Sequence, residues 1–130
     1  MEAPTSQKRK LRIVLVEDDS RDIELTQAHL VVHHIACEIE AVDTKAAFEL
    51  ALERRLDLIL SDMNVVRLDG LSALSIAAKK CPQIPFVFLS GSMREETKAV
   101  AFAGGATDFV LKGDIEKLVS VIRRLCDLPQ

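Results

Sequence analysis

Apolar residues along this chain come as short runs that alternate with helically spaced stretches. Leu11 to Val16 reads Leu-Arg-Ile-Val-Leu-Val, nearly continuous and rich in β-branched side chains, which predicts a central strand. The run ends in Glu17-Asp18-Asp19-Ser20, where Asp19 or Ser20 can cap a helix carrying Ile23, Leu25, Ala28, Leu30 and Val31 and ending near His33-His34. Ile35 to Val42 alternates only in part, which predicts an edge strand. Asp43-Thr44 then opens a helix with Ala47, Phe48, Ala51 and Leu52 on one face. Leu58 to Leu60 is a strand buried on both faces, stopped by Ser61-Asp62. A polar loop from Asn64 to Asp69 leads through Gly70 into a third helix with Leu71, Leu74 and Ala78, closed by Cys81-Pro82. Pro85 to Leu89 forms a fourth strand ending in Ser90-Gly91-Ser92. Ser92 and Glu95 have capping-box spacing for a fourth helix, poor in large apolar residues and ended by Gly104-Gly105. Thr107 to Leu111 is the fifth strand. Lys112-Gly113-Asp114 turns into a last helix, where Ile115, Leu118, Val119, Ile122 and Cys126 give the clearest helical period in the chain.

Five βα units in series mean an α/β fold, a parallel sheet with right-handed crossovers and helices on both faces. In such sheets ligands bind at the carboxyl ends of the strands. Four predicted strands end at that rim in polar residues: Glu17-Asp18, Asp62, Ser90 and Lys112. Each alone is weak, because a polar residue often ends a strand only to begin a loop. Together they point to one site built around Asp62.

Composition narrows the function. The 130 residues suit one domain, read as a flexible tail over residues 1–9 and a folded unit over 10–130. With 48% hydrophobic and 28% charged residues the chain belongs to the globular class. Net charge is −3 and Trp and Tyr are absent, so neither a basic field nor a stacking platform for nucleic acid is expected. Lys8-Arg9-Lys10 with Arg12 reads as a solvated lead-in to the first strand. Cys37, Cys81 and Cys126 show no zinc or CxxC spacing and read as reduced thiols of a cytoplasmic protein. No apolar run is long enough for a membrane span, and no DNA-binding segment follows the last helix, so output is expected through protein contact.

The rim residues carry a resemblance. Leu-Val-Glu-Asp-Asp at 15–19, Asp-Met-Asn at 62–64 with Leu-Asp-Gly at 68–70, Ser90-Gly91, and Phe-Val-Leu-Lys at 109–112 are similar to the receiver domain of two-component response regulators. The likeness spans about residues 10–126. It implies the flavodoxin-like strand order 2-1-3-4-5. In that order the first and third strands are neighbours, so Glu17, Asp18 and Asp62 crowd together. Two carboxylates about 5 Å apart repel by roughly 3 kcal/mol at an effective dielectric near 20, which invites a hard divalent cation.

The resemblance implies that Asp62 accepts a phosphoryl group from a histidine kinase or a histidine phosphotransfer protein. Mg²⁺ would be held by the Asp18 and Asp62 side chains, the Asn64 carbonyl and, through water, Glu17. Lys112 would neutralise a phosphoryl oxygen and Ser90 would donate its hydroxyl. Phe109 would turn inward as Ser90 moves, altering the surface of the fourth helix, fifth strand and fifth helix for a downstream target protein or a homodimer. Beyond this phosphoryl uptake and its own loss of the group, no enzyme activity is implied. On the residues alone, Phe109 as plain core and Ser90 as plain strand end remain alternatives.

Two departures from the family pattern stand out. Val66 occupies a place usually held by proline, so the loop after Asp62 is expected to be less fixed. Gly113 replaces a proline usually joined by a cis bond, and a cis bond before a non-proline residue costs about 3 kcal/mol, so Lys112–Gly113 is expected to be trans. Two other functions compete. A receiver-shaped module that is never phosphorylated is disfavoured by the presence of Asp18, Asp62, Ser90 and Lys112 together. A flavodoxin-fold phosphatase is disfavoured because Asn64 stands where a second Asp would act as acid. A calcium loop at Asp62 to Asn64 fails at Val66, which lacks a ligating oxygen. His29 and His33 lack a third metal ligand.

Overall fold

The computed structural model describes residues 9–92 and 94–129. The elements run β1 (Leu11–Val16), α1 (Ser20–Val32), β2 (Cys37–Val42), α2 (Lys45–Ala51), β3 (Leu58–Asp62), α3 (Gly70–Lys80), β4 (Phe86–Ser90), α4 (Glu95–Ala103), β5 (Asp108–Leu111) and α5 (Ile115–Leu125). The expected tail over residues 1–9 lies outside the described residues except for Arg9.

The five strands pair in parallel in the order β2-β1-β3-β4-β5, so β2 is an edge strand as its pattern implied. β3 sits at the centre and every one of its residues is buried. Alternate side chains along each strand leave opposite faces of the sheet, and this divides the core in two. One half packs Val14, Ile59, Phe88 and Phe109 against α2, α3 and α4 through Phe48, Leu74 and Ala101. The other packs Ile13, Leu15, Leu60 and Val110 against α1 and α5 through Leu30, Leu118 and Ile122. Each such buried side chain contributes about 1.5–3 kcal/mol.

Local chemistry sets the helix starts. Asp19 caps α1 by accepting from the Arg21 and Asp22 amides, Thr44 caps α2, Asp69 caps α3 and Asp114 caps α5. The α4 start departs from expectation. Its N-cap is Arg94, which offers no side-chain hydrogen bond, and Ser92–Glu95 form no capping box. Ser92 is engaged elsewhere: the Ser90 hydroxyl donates to the Ser92 carbonyl at 2.9 Å and accepts from the Ser92 amide at 3.2 Å.

The apolar stripe of α1 was also misplaced by periodicity. Leu25 and Val31 are exposed, and Leu30 is the buried residue of that helix. The sheet-facing stripe includes Asp22, Thr26 and His29, polar residues that hide the period. In α3, Ala73, Leu74 and Ala77 are buried and Leu71 is partly exposed. There is no cis peptide among the described residues, so Lys112–Gly113 is trans, and Gly113 turns the chain at φ +91°. No helix of the described residues is long and apolar enough to cross a membrane.

Candidate functional site

The buried polar residues among those described are Glu17, Ser61, Asp62 and Ser90, all at the carboxyl ends of β1, β3 and β4 or one step beyond. Burying polar groups costs free energy unless partners are supplied, so their clustering at one rim marks a site rather than a core. Ser61 is satisfied locally, its hydroxyl donating to the Asp62 carbonyl at 2.8 Å.

Lys112, just past β5, reaches over this rim. Its Nζ lies 2.7 Å from Asp22 Oδ2, 3.1 Å from Glu17 Oε1 and 3.2 Å from Asp62 Oδ2. Lys112, expected to face a phosphoryl oxygen, here contacts the acids of β1 and β3 directly. The backbone fixes it there: the Lys112 amide donates to the Ser90 carbonyl at 2.7 Å, which ties β5 to the end of β4. An ammonium has three hydrogens, and three carboxylates surround this one.

The charges perturb each other. Burial pushes the Glu17 carboxyl above its usual range and the neighbouring Asp62 charge adds to this, while hydrogen bonds from Lys112 and the Asp19 amide pull the other way. Burial alone would lower the Lys112 pKa. Hydrogen bonds to Asp22 and Glu17, with the charges of Glu17 and Asp62, outweigh it and hold the ammonium protonated well above the ordinary lysine range.

Asp18 takes a different direction from Glu17. It is exposed, and its Oδ2 accepts from the Val66 amide at 3.2 Å, across the β3–α3 loop. Val66 itself is 91% exposed, so its side chain does not anchor that loop. A proline in its place would lack the amide hydrogen. The loop that was expected to be loose is thus pinned to Asp18 by a bond that the usual residue could not make. Asn64 follows Asp62 in the same loop, and its amide lies 3.4 Å from Asp62 Oδ1.

Ser90 is buried beside this rim, but its hydroxyl is turned into the loop with Ser92. Phe109 is 1% exposed, its ring centroid 6.0 Å from that of Phe88, so it already lies in the core. The expected inward turn of Phe109 has no outward position to start from in this conformation. Asp22 was missed by sequence reasoning, which gave it no role. The available signal was its distance from Glu17, since the first turn of a helix brings a residue back over the strand end that precedes it.

The donor set fits a hard divalent cation in chemistry. Glu17, Asp18 and Asp62 supply only oxygen, and Lys112 is the one cation paired with Glu17 and Asp62 at the rim among the described residues. In geometry the acids are not yet gathered: as the side chains stand, no group of three among the described residues is close enough to hold a metal ion.

A sequence model of the response regulator receiver domain matches residues 13–123. The regulatory protein VirG of Rhizobium radiobacter is 37% identical over 103 residues, covering 77% of this chain and 37% of VirG. The chain spans about a quarter to a half of such curated relatives. The receiver domain of a Pseudomonas aeruginosa sensor histidine kinase, solved with magnesium in its active-site cleft, superposes with a TM-score of 0.79 at 22% identity, covering 92% of this chain and 99% of that one. The receiver domain of Ssk1 from Saccharomyces cerevisiae, solved with the histidine phosphotransfer protein Ypd1, gives 0.77 at 21% identity, covering 91% and 90%. These two likenesses establish the shared fold. With the matched family model and the strand order, the chain belongs to the response regulator receiver domains of two-component systems.

Proposed function

We propose that Asp62 is a phosphoacceptor in a phosphorelay. A carboxylate oxygen of Asp62 attacks the phosphorus of a phosphohistidine. The phosphorus–nitrogen bond breaks, an acyl phosphate forms, and the departing imidazole nitrogen takes up a proton. The observation that carries this reading is the Lys112 ammonium, 3.2 Å from Asp62 Oδ2 across a sequence gap that only the fold closes. A fixed cation at that place neutralises charge as it builds on the transferred group.

Asp18 and Asp62 by side chain, Asn64 by its carbonyl and Glu17 through water would hold magnesium. When bound, the ion would cancel charge on the carboxylates and the phosphoryl oxygens. The magnesium in the Pseudomonas aeruginosa receiver domain supports this choice of ion. The Ypd1 complex of the Ssk1 receiver supports a histidine phosphotransfer protein, or a histidine kinase, as donor.

Ser90 would give up its bonds to Ser92 and donate its hydroxyl to the phosphoryl group. That loop leads directly into α4, whose start lacks a side-chain cap and whose body buries only Ala101. α4 is therefore loosely held, suited to shift and to present a changed α4-β5-α5 face to a target protein or a second copy. With Phe109 already inside, the shift would centre on the Ser90 loop and α4. The unit over residues 10–130 acts in the cytoplasm as a signalling domain and not as an enzyme that turns over a separate substrate.

Incubation with Mg²⁺ and acetyl phosphate, read by intact mass, tests this. One phosphoryl group should be added, and none in Asp62→Asn or without metal. A protein that takes no label yet holds its partner equally with or without donor would be a phosphorylation-independent interaction module.

A further inference from the structure

Asp22 makes the shortest contact to the Lys112 ammonium, 2.7 Å, against 3.1 Å for Glu17 and 3.2 Å for Asp62. It comes from the first turn of α1, and of the three acids its side chain is the most exposed. Glu17 and Asp62 belong to the set that would hold a divalent cation; Asp22 does not. The ammonium and that cation therefore compete for the same two carboxylates, and each repels the other. Something must keep Lys112 at the rim once Glu17 and Asp62 turn to the metal.

We propose that Asp22 is a positioning residue that draws the Lys112 ammonium off Glu17 and Asp62 and so lets a divalent cation enter. This rests on the proposed phosphoacceptor reading and deepens it. A cleft of about 100 Å³ lies beside the pair, walled by Leu25, Thr26 and His29 of α1 and by Ile115 and Leu118 of α5. Lys112 and Asp22 can thus shift together without repacking the core. Without Asp22 the ammonium would settle wholly onto Glu17 and Asp62, and the cation would have to displace it.

The test is magnesium binding followed by calorimetry, with no phosphodonor. Asp22→Asn should weaken binding by about fivefold when Lys112 is intact, within the range of coupling between groups in contact. In a Lys112→Met background the same substitution should change it by less than about twofold, because the competitor is gone. Asp22→Glu should restore most of the affinity. An equal loss in both backgrounds would overturn the proposal, since Asp22 would then act only by direct attraction for the metal. No loss in either would overturn it as well.

Should Lys112→Met fail to fold, the lysine-intact proteins give a second reading by nuclear magnetic resonance. With magnesium bound, the Lys112 ammonium protons should stay protected from exchange in the wild type and lose protection in Asp22→Asn. Equal protection would overturn the proposal. A wild-type chain that binds no magnesium would overturn both this proposal and the phosphoacceptor reading, whereas binding that is indifferent to Asp22 would remove this one alone.

Discussion

Replacing Gly70 by alanine tests whether the strand end that carries Asp62 is as tightly held as its contacts imply. Gly70 opens α3 and its amide donates to the Met63 carbonyl at 3.0 Å. A Cβ built there would lie 2.6 Å from Phe88 Cε1 and 2.9 Å from both the Asp62 carbonyl oxygen and Met63 Cα. Carbon atoms prefer about 3.5–4.0 Å, so the new methyl group needs nearly an ångström more room. Two of the three neighbours are backbone. The third, the Phe88 ring, is fully buried and packed at 5.0 Å from Phe86 and 6.0 Å from Phe109. Overpacking of this kind costs about 1–3 kcal/mol, and the better helix propensity of alanine offsets less than about 1 kcal/mol of it. With no Trp or Tyr in the chain, urea unfolding is best followed by circular dichroism. At a slope of about 1–3 kcal/mol/M the midpoint should fall by roughly 1 M with the slope unchanged. Gly91→Ala is the control: a Cβ there meets nothing within 4 Å, and stability should stay within about 0.5 kcal/mol. Equal midpoints for the two variants would refute the claim that α3 is butted against the end of β3.

Other outcomes follow from the same contacts. Val66→Pro removes the amide that engages Asp18 Oδ2, so Asp18 is freed and magnesium affinity by calorimetry should rise by about twofold to tenfold; an unchanged affinity would show that this bond does not restrain the acid. Asp57 is held below the usual carboxylate range by its bond with Arg9, helped by the Arg12 amide. Its contribution is therefore present above its unfolded pKa near 4 and lost as pH falls below that. Asp57→Asn should lower stability at pH 7 and flatten the loss on acidification below about pH 4, which denaturant midpoints across that range will read. Burial and the nearby Asp57 charge push the Cys126 thiol up to about 11, so it should alkylate very slowly at pH 7.5 in the folded protein and rapidly in urea; fast labelling when folded would contradict the packing of α5.

Much of the fold was legible because buried parallel strands write themselves as unbroken apolar runs. β1, β3 and β4 appear within a residue or two of the expected bounds, and the weak alternation of residues 35–42 marked β2 as an edge. What periodicity misread was α1, where Asp22, Thr26 and His29 take places on the sheet-facing stripe and Leu25 faces solvent. Asp22, at the rim end of that stripe, pairs with Lys112, and a pattern of apolar spacing discards such polar positions. The α4 cap failed because the helix is capped at Arg94, two residues after Ser92, whose backbone bonds the Ser90 hydroxyl. At the site, Glu17, Asp62 and Lys112 came together as their strand ends required. The outward turn of Asp18 to Val66 and the approach of Asp22 to Lys112 depend on loop and helix placement that residue spacing does not encode.

If Asp62 is the phosphoacceptor, no other rim residue should carry the phosphoryl group. Borohydride reduces an acyl phosphate to an alcohol, so treating the protein after acetyl phosphate and Mg²⁺, then mapping peptides by mass spectrometry, identifies the acceptor directly. Homoserine at position 62 alone is the expected result. Homoserine at 18 or 22, or a stable phosphoserine at 90 with position 62 unchanged, would contradict it.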